Sequence, residues 1–222
     1  MSKRLSTGEK ATTSSVRAKV PRSGSRSGRI LEPDAARLVV AALGDSITEG
    51  SPAYDARLGG DEESQWEHWA ARADARLDFR NCGVYGERTD QIMQRLDTAA
   101  RGADVLVVQG GINDIAQGVA AETAAETLRE MVRRGKELGL GVVLADVLPW
   151  NNGWPVTEPE IRRLNALIAT IAREEDVPLL PFHDTLEDSG RPGRMRDDWT
   201  CDGDHPSVAG YRRLGELAFR LP

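Results

Sequence analysis

Short apolar runs alternate with longer amphipathic segments along this chain, and this alternation constrains its fold more than any other feature. The apolar runs lack a polar face, which is typical of parallel strands buried on both sides of a sheet. The longer segments repeat their apolar residues at the spacing of one helix face. The predicted strands are Arg37–Leu43, Phe79–Val84, Asp104–Gln109, Gly141–Val147 and Val177–Phe182.

Helices are predicted between these strands and after the last one. Five strands separated by helices predict a three-layer α/β/α domain, in which a five-stranded parallel sheet is covered on both faces. This domain is expected to span residues 33–222, after a disordered basic tail at residues 1–32. The predicted helices are Gln65–Leu77, Thr89–Ala100, Ala121–Leu138, Glu160–Glu175 and Ser207–Leu221.

Charge is distributed unevenly over the 222 residues, whose formal net charge is −6. Residues 1–30 carry eight lysines and arginines against the single Glu9, which makes +7, so the rest of the chain carries −13. An acidic domain repels polyphosphates, and we therefore expect no nucleic-acid partner. The tail has the Ser/Gly/Arg composition of a solvated segment.

Cysteine and histidine are too few and too scattered for a recognisable metal motif. Cys82 and Cys201 have neither metal-binding spacing nor a disulfide framework, and we expect both to be reduced. We predict no metal site and no cofactor. The chain has no apolar run long enough for a membrane span and no secretory signal at its N-terminus, so a cytoplasmic location is expected. The oligomeric state is not predictable.

Ser46 follows the first predicted strand directly, within Gly44-Asp45-Ser46. Parallel sheets bind ligands at the carboxyl ends of their strands, so a side chain at this position faces the expected site. Taken alone, Ser46 could simply cap the following helix. As a nucleophile it would lie at a helix N-terminus, where the helix dipole and backbone N–H groups stabilise a developing oxyanion.

Residues after the second and third strands could supply donors to the same oxyanion. Gly86 offers a backbone N–H, although Gly83 competes with it for that role and either could be a turn glycine. Asn113 follows Gly110-Gly111, and its side-chain amide could point into the cleft or merely stabilise a turn. The preceding glycines would leave room for a substrate close to the backbone.

His205 is the favoured general base. It lies in the only Asp-x-x-His of the chain, a spacing that lets Asp202 accept from the imidazole Nδ1–H and leaves Nε2 directed at Ser46. The neighbouring Asp204 is poorly placed for that role. His183, at the predicted end of the fifth strand, is a rival base, but its adjacent aspartate cannot orient it in the same way.

Together these motifs resemble the four conserved blocks of the SGNH (GDSL) hydrolases. The resemblance extends from about Leu38 to the C-terminus, with all four signature residues in order. It implies a flavodoxin-like sheet with strand order 2-1-3-4-5. The matching segments are Gly44-Asp45-Ser46, Gly86-Glu87-Arg88-Thr89, Gly111-Ile112-Asn113-Asp114 and Asp202-Gly203-Asp204-His205.

The resemblance also implies a role for each signature residue. Ser46 would be the nucleophile, His205 the base and Asp202 the residue that orients it. The oxyanion hole would consist of the Ser46 N–H, the Gly86 N–H and the Asn113 side chain. The implied activity is hydrolysis of a small-molecule carboxylic ester through an acyl-enzyme, without metal or cofactor.

The nature of the ester is constrained only by aromatic residues near the predicted edge of the sheet. Trp150, Trp154 and Tyr54 could form a rim for a sugar ring, an aryl group or a short acyl chain. No long apolar loop suggests a deep lipid tunnel, so short acyl groups are favoured, as in acetyl esterases, arylesterases or lysophospholipase-like enzymes. Two alternatives stay open: an acyltransferase that uses the same site, and a non-catalytic binding module on this fold.

Overall fold

The computed structural model describes residues 37–50 and 61–222 of the chain. The predicted basic tail, residues 1–32, and the predicted rim residue Tyr54 lie outside these described residues. Within the described part of the chain, no helix is both long enough and apolar enough to cross a lipid bilayer.

Five parallel strands form the central sheet in the order β2-β1-β3-β4-β5. This result confirms the predicted strand order and the predicted fold class. Each strand runs in the same direction, so the loops that follow the strands meet at one edge. The strands are β1 (Leu38–Gly44), β2 (Leu77–Gly83), β3 (Val105–Val108), β4 (Gly141–Ala145) and β5 (Leu179–Leu180).

Helices connect and cover these strands. A short 3-10 helix at Glu62–Ser64 precedes the second α-helix. The α-helices are α1 (Ser46–Glu49), α2 (Trp66–Ala73), α3 (Thr89–Ala99), α4 (Ile112–Ala116), α5 (Ala121–Glu137), α6 (Glu158–Glu174), α7 (Phe182–Leu186) and α8 (Val208–Arg213).

Alternate residues of the strands supply two separate hydrophobic cores. In β1, Ala41 and Leu43 pack in the core that holds α3, α5 and α6, whereas Val40 and Ala42 pack in the core that holds α2 and α8. All four are fully buried. Because successive strand side chains point to opposite faces, a run without polar residues is what a sheet covered on both sides requires.

Several predicted boundaries are wrong. Leu77 does not end the helix that starts near residue 65; it begins β2, pairs with Leu38 and is buried there. The fifth strand is only two residues long because Pro178 and Pro181 flank it and have no N–H to donate to a ladder. Phe182 therefore belongs to α7 rather than to the strand.

The segment between α7 and His205, for which the sequence predicts neither strand nor helix, contains an antiparallel hairpin, β6 (Glu187–Asp188) and β7 (Arg191–Met195). The predicted C-terminal helix is also shorter than expected. Ser207 caps it, and after α8 the chain continues as a π-helical turn, Leu214–Ala218. Within that turn Gly215 packs against the backbone of α2, where a Cβ would lie 2.3 Å from the Trp66 carbonyl oxygen.

Candidate active site

Five separate chain segments meet at the carboxyl edge of the sheet around a cavity of about 150 Å³. The loops after β1, β2, β3 and β4 supply four of these segments, and the segment before α8 supplies the fifth. The cavity thus lies where ligands bind in open parallel sheets. Its lining residues are Ser46, Ile47, Tyr85, Gly86, Ile112, Asn113, Ala116, Gln117, Trp150, Asp204 and His205.

Ser46, His205 and Asp202 form a continuous hydrogen-bonded chain. The Oγ of Ser46 lies 3.1 Å from Nε2 of His205, and Nδ1 of the same ring lies 2.8 Å from Oδ2 of Asp202. Ser46 is buried, whereas Asp202 is partly exposed. This is the arrangement in which a neutral imidazole can accept the serine proton while the carboxylate stabilises the resulting imidazolium.

Asp202 is held by the backbone of its own turn as well as by the imidazole. Its Oδ1 accepts from the N–H groups of His205, at 2.7 Å, and Asp204, at 2.8 Å. Partial burial opposes ionisation of this carboxylate, but the bonds from His205 and Asp204 outweigh it and lower the pKa of Asp202 below its ordinary value. The carboxylate therefore stays charged at the pH values at which an imidazole can act as a base.

Asp45, not Ser46, caps the helix after β1. Its Oδ1 accepts from the N–H of Ile47 at 2.9 Å, so the cap is satisfied and the Ser46 hydroxyl is left to face His205. Gln109, which directly follows β3, holds this turn in place. Its Oε1 accepts hydrogen bonds from the Asp45 N–H and from the Thr48 hydroxyl. Asp45 therefore caps α1, and the alternative role of Ser46 as the helix cap does not apply.

Gly44 must be a glycine for the turn to close in this way. A Cβ at this position would lie 2.3 Å from Oγ1 of Thr48 and 2.4 Å from Oε1 of Gln109. The Gly-Asp-Ser sequence therefore has three distinct physical roles: close packing, capping and a hydroxyl at the cavity.

Replacement of Asp45 by asparagine is expected to change how stability depends on pH. Burial raises the pKa of Asp45 to about 6, above its ordinary value of 3.8, even though Ile47 donates to it. A raised pKa means that the protonated carboxyl favours the folded state, and that this stabilisation disappears as the pH rises from about 4 through 6. The loss is on the order of 3 kcal/mol.

Chemical denaturation of the wild type and of Asp45→Asn between pH 4 and pH 8 measures this effect. Asparagine caps a helix as well as aspartate does but does not titrate. The free energy of unfolding of the variant relative to the wild type should therefore rise by about 3 kcal/mol over this range. A difference that stays constant with pH would contradict the assignment.

Gly86 and Asn113, which the sequence predicts as oxyanion donors, both line the cavity beside Ser46. Gly86 adopts φ +75°, a conformation that strongly favours glycine, and it lines the cavity. The rival Gly83 has a packing role, because a Cβ there would lie 2.0 Å from the Glu49 nitrogen, and its N–H donates to the side chain of Asn81. The geometry thus favours Gly86 over Gly83.

Asn113 is oriented by a bond to the loop that carries Gly86. One N–H of its amide donates to the carbonyl oxygen of Glu87 at 3.0 Å. An amide nitrogen carries two hydrogens, so the second remains available to the cavity that Asn113 lines. The same bond fixes the spacing between the two expected oxyanion donors.

Arg95 braces this arrangement, and sequence reasoning did not identify it. Its guanidinium makes a paired contact with the Glu87 carboxylate at 2.6 and 2.9 Å. It also donates to the carbonyl oxygens of Cys82, at the end of β2, and Gly44, at the end of β1. A single arginine on α3 therefore ties two strand ends to the Gly86 loop. Its spacing from these residues carries no motif that could have revealed the role.

Substitution of Asn113 by alanine is expected to lower kcat for ester hydrolysis by about 10²- to 10³-fold, with little change in KM. The reason is that the amide would donate to an oxygen that is strongly negative only in the transition state. Steady-state kinetics with an aryl acetate measure both constants. Asn113→Asp, which keeps the size but loses the donors, should be at least as impaired. A variant with raised KM and unchanged kcat would exclude this role.

The predicted aromatic residues are placed differently from one another. Trp150 lines the cavity, and its indole N–H donates to Oδ1 of Asp204 at 2.5 Å. Trp154 is 42% exposed, and the guanidinium of Arg194 lies 5.4 Å from the centre of its ring. Trp154 is not among the residues that line the cavity.

The sequence did not single out Tyr85, and it left His183 only as a less favoured alternative base. Tyr85 lines the cavity, and its ring lies nearly parallel to that of His205 with centroids 6.3 Å apart. His183, the rival base, is buried in α7 beside Glu158 and Glu187. The imidazole that lies next to Ser46 belongs to His205.

Several known proteins are similar to this chain. Thioesterase 1/protease 1/lysophospholipase L1 of Escherichia coli K12 is 29% identical over 174 residues, which cover 74% of each chain. A crystal structure of a lipolytic protein of the G-D-S-L family from Veillonella parvula superposes with a TM-score of 0.67 at 19% identity, covering 80% of this chain and 94% of that one. A variant of an acetyl xylan esterase from Geobacillus stearothermophilus also gives 0.67, at 20% identity, with 82% and 93% covered.

The sheet order and these structural neighbours define the fold as that of the GDSL/SGNH hydrolases. The sequence profile of the GDSL-like lipase/acylhydrolase family matches residues 42–213, well over half of the chain. The chain therefore belongs to the GDSL-like lipase/acylhydrolase family.

Proposed function

We propose that this protein hydrolyses carboxylic esters with short acyl groups through a serine acyl-enzyme. The observation that carries the proposal is the chain of contacts from Ser46 through His205 to Asp202, at 3.1 and 2.8 Å, beside a cavity lined by Gly86 and Asn113. Nucleophile, base, orienting carboxylate and oxyanion donors are the parts that acyl transfer requires.

Acylation would begin when Nε2 of His205 takes the proton of the Ser46 hydroxyl as its Oγ attacks the ester carbonyl carbon. The carbonyl oxygen becomes an oxyanion, which accepts hydrogen bonds from the Ser46 and Gly86 N–H groups and from the Asn113 amide. Collapse of this intermediate breaks the bond to the alcohol oxygen. His205 gives its proton to that oxygen, and the alcohol leaves.

Deacylation repeats these steps with water. His205 takes a proton from the water as its oxygen attacks the acyl carbon, and the second oxyanion rests on the same donors. Collapse breaks the bond to Oγ, which recovers the proton from His205. The products are the carboxylic acid and the free enzyme. An alcohol in place of water would give acyl transfer by the same route.

The size and lining of the cavity support a short acyl group. At about 150 Å³ it is smaller than the pockets of about 300–1,000 Å³ that hold larger ligands. Ile47, Ile112 and Trp150 provide apolar surface within it. Acetyl xylan is the substrate named for one structural neighbour, and thioester and lysophospholipid for the Escherichia coli relative.

An acyl-length series of p-nitrophenyl esters tests the proposal. We expect kcat/KM to be highest for the acetate or butyrate and to fall for the octanoate and palmitate. Acetylated xylo-oligosaccharides and an acetyl thioester in parallel reactions identify the leaving group, and added glycerol measures transfer against hydrolysis. Failure to hydrolyse any ester would reject the proposed activity. A preference for palmitate would reject the short-chain assignment alone.

Substitution of Trp150 by alanine is expected to relax acyl selectivity, because it removes one wall of the cavity. The ratio of kcat/KM for the octanoate to that for the acetate should rise by about tenfold, since a methylene in an apolar pocket changes selectivity by at least that factor. Trp154→Ala is the matched control, as Trp154 is half-exposed and outside the cavity lining. An equal change in both variants would contradict the role of Trp150.

A further inference from the structure

Three metal-ligating side chains that are distant in sequence converge outside the lining of the catalytic cavity. Glu158 begins α6, His183 lies in α7 and Glu187 begins β6. One carboxylate oxygen from each glutamate and one ring nitrogen of His183 all lie within 4.8 Å of one another. Ligands of a tetrahedral ion bound at about 2.1 Å are about 3.4 Å apart, so small side-chain movements would suffice to enclose a cation.

Two polar atoms of this cluster are buried without a hydrogen-bond partner among the described residues. His183 is only 5% exposed, and its Nε2 has no hydrogen-bond partner among the described residues. Oε2 of Glu158 is also buried without a hydrogen-bond partner among the described residues, whereas Oε1 contacts Nε of Arg162. Buried polar groups in native proteins are normally paired, so two such atoms in one cluster call for an explanation. A bound cation would satisfy them together.

The surroundings hold the three side chains in place. Gly193 adopts φ +82°, and a Cβ there would lie 2.4 Å from the carboxyl carbon of Glu158. The Gly193 N–H also donates to Oε1 of Glu187 at 2.6 Å. The start of α7 is fixed because the His183 N–H donates to the Asp146 carboxylate at 2.7 Å.

Two other charged side chains face the cluster. Arg162 contacts the carboxylates of both Glu158 and Glu187, but its side chain is 53% exposed and can move outward. Oδ1 of Asp184 lies 3.6 Å from Nδ1 of His183 and adds negative charge. A divalent cation would therefore enter a site with a surplus of carboxylates.

We propose that Glu158, His183 and Glu187 bind a divalent first-row transition metal, with Zn²⁺ as the favoured ion. An imidazole nitrogen with two carboxylate oxygens suits Zn²⁺, whereas Ca²⁺ and Mg²⁺ prefer ligand sets made of oxygen alone. Water would complete the coordination. The sequence predicts no metal site because the three ligands are not adjacent in any motif.

The site would join α6, α7 and the β6–β7 hairpin, and Asn151 links this hairpin to the loop that carries the proposed catalytic aspartate. The side chain of Asn151 exchanges two hydrogen bonds with the backbone of Met195, at 2.7 and 3.0 Å. The Asn151 N–H donates to the carbonyl oxygen of Gly203, next to Asp202. The metal would thus stabilise the support of the active-site loop without touching the substrate.

Zinc titration of the untagged, EDTA-treated full chain by calorimetry tests the proposal. We expect one Zn²⁺ per chain and a Zn²⁺-dependent rise in Tm. His183→Gln and Glu158→Gln should each weaken binding by at least about tenfold, the smallest effect expected even for a residue that only supports a ligand. Two variants are used because His183 is buried, and unfolding without metal shows whether each still folds.

Matched controls separate this site from others that contain histidine. His205→Gln removes the catalytic imidazole, and His68→Gln removes a histidine whose Nδ1 lies 3.7 Å from a carboxylate oxygen of Glu62. Both variants should bind Zn²⁺ as the wild type does, and Ca²⁺ should not compete. Absence of binding to the wild type, binding retained in both His183→Gln and Glu158→Gln, or loss of binding in His205→Gln would each overturn the proposal.

Discussion

Replacement of Ser46 by alanine should lower kcat for p-nitrophenyl acetate hydrolysis by a factor on the order of 10⁶, the cost of removing the nucleophile from a serine hydrolase. The Oγ atom lies 3.1 Å from Nε2 of His205, so its loss removes both the attacking atom and its hydrogen bond to the proposed base. Steady-state kinetics measure the loss, and mass spectrometry of acid-quenched reactions should find the acetyl group on Ser46 of the wild type alone.

The fold of the Ser46→Ala variant should be unaffected, which makes the test selective. Asp45 caps α1, so the cap survives the substitution. Thermal unfolding at neutral pH should differ little from that of the wild type. Hydrolysis that persists at the wild-type rate would reject both the nucleophile and the acyl-enzyme mechanism.

Replacement of Asp202 by asparagine should lower kcat by about 10⁴-fold. The Asp202 carboxylate accepts from Nδ1–H of His205 and so leaves Nε2 unprotonated towards Ser46. An amide that donates to Nδ1 favours the opposite tautomer, in which Nε2 carries the proton and cannot act as a base. The ring would then keep its position while losing its function.

The neighbouring Asp204→Asn variant is the control for this prediction. Asp204 lies in the same turn, but its carboxylate accepts from the indole of Trp150 rather than from the imidazole. We expect a much smaller loss of kcat in this variant. Equal losses in the two variants would indicate that the turn itself, and not the tautomer of His205, limits the reaction.

Much of the fold followed from local patterns. The apolar runs around Val40 and Val107 predict strands buried on both faces, and these strands lie in the centre of the sheet. The predicted boundaries were less accurate where the same apolar residue would be buried both at the end of a helix and at the start of a strand. Leu77 is buried whether it ends a helix or begins a strand, and only its pairing with Leu38 decides between them.

The site was predictable to the extent that strand ends mark it. Ser46, Gly86 and Asn113 each follow a strand, and the parallel topology brings them to one cavity. Asp202 and His205 were recognisable because their contact is local, three residues apart. His205 and Ser46 are 159 positions apart in the chain. Their contact depends on how α8 packs against the sheet, so the sequence predicts it only through the expected topology.

Local patterns were enough to predict the layers, and the family resemblance added the strand order and the residues expected to carry the chemistry. Features that depend on contacts between distant segments became visible only in the folded chain. These include the brace of Arg95, the position of Trp150 at the cavity and Trp154 away from it, and the convergence of Glu158, His183 and Glu187. Periodicity and turn chemistry report neighbours along the chain, whereas such contacts are set by how the elements pack, which no local pattern encodes.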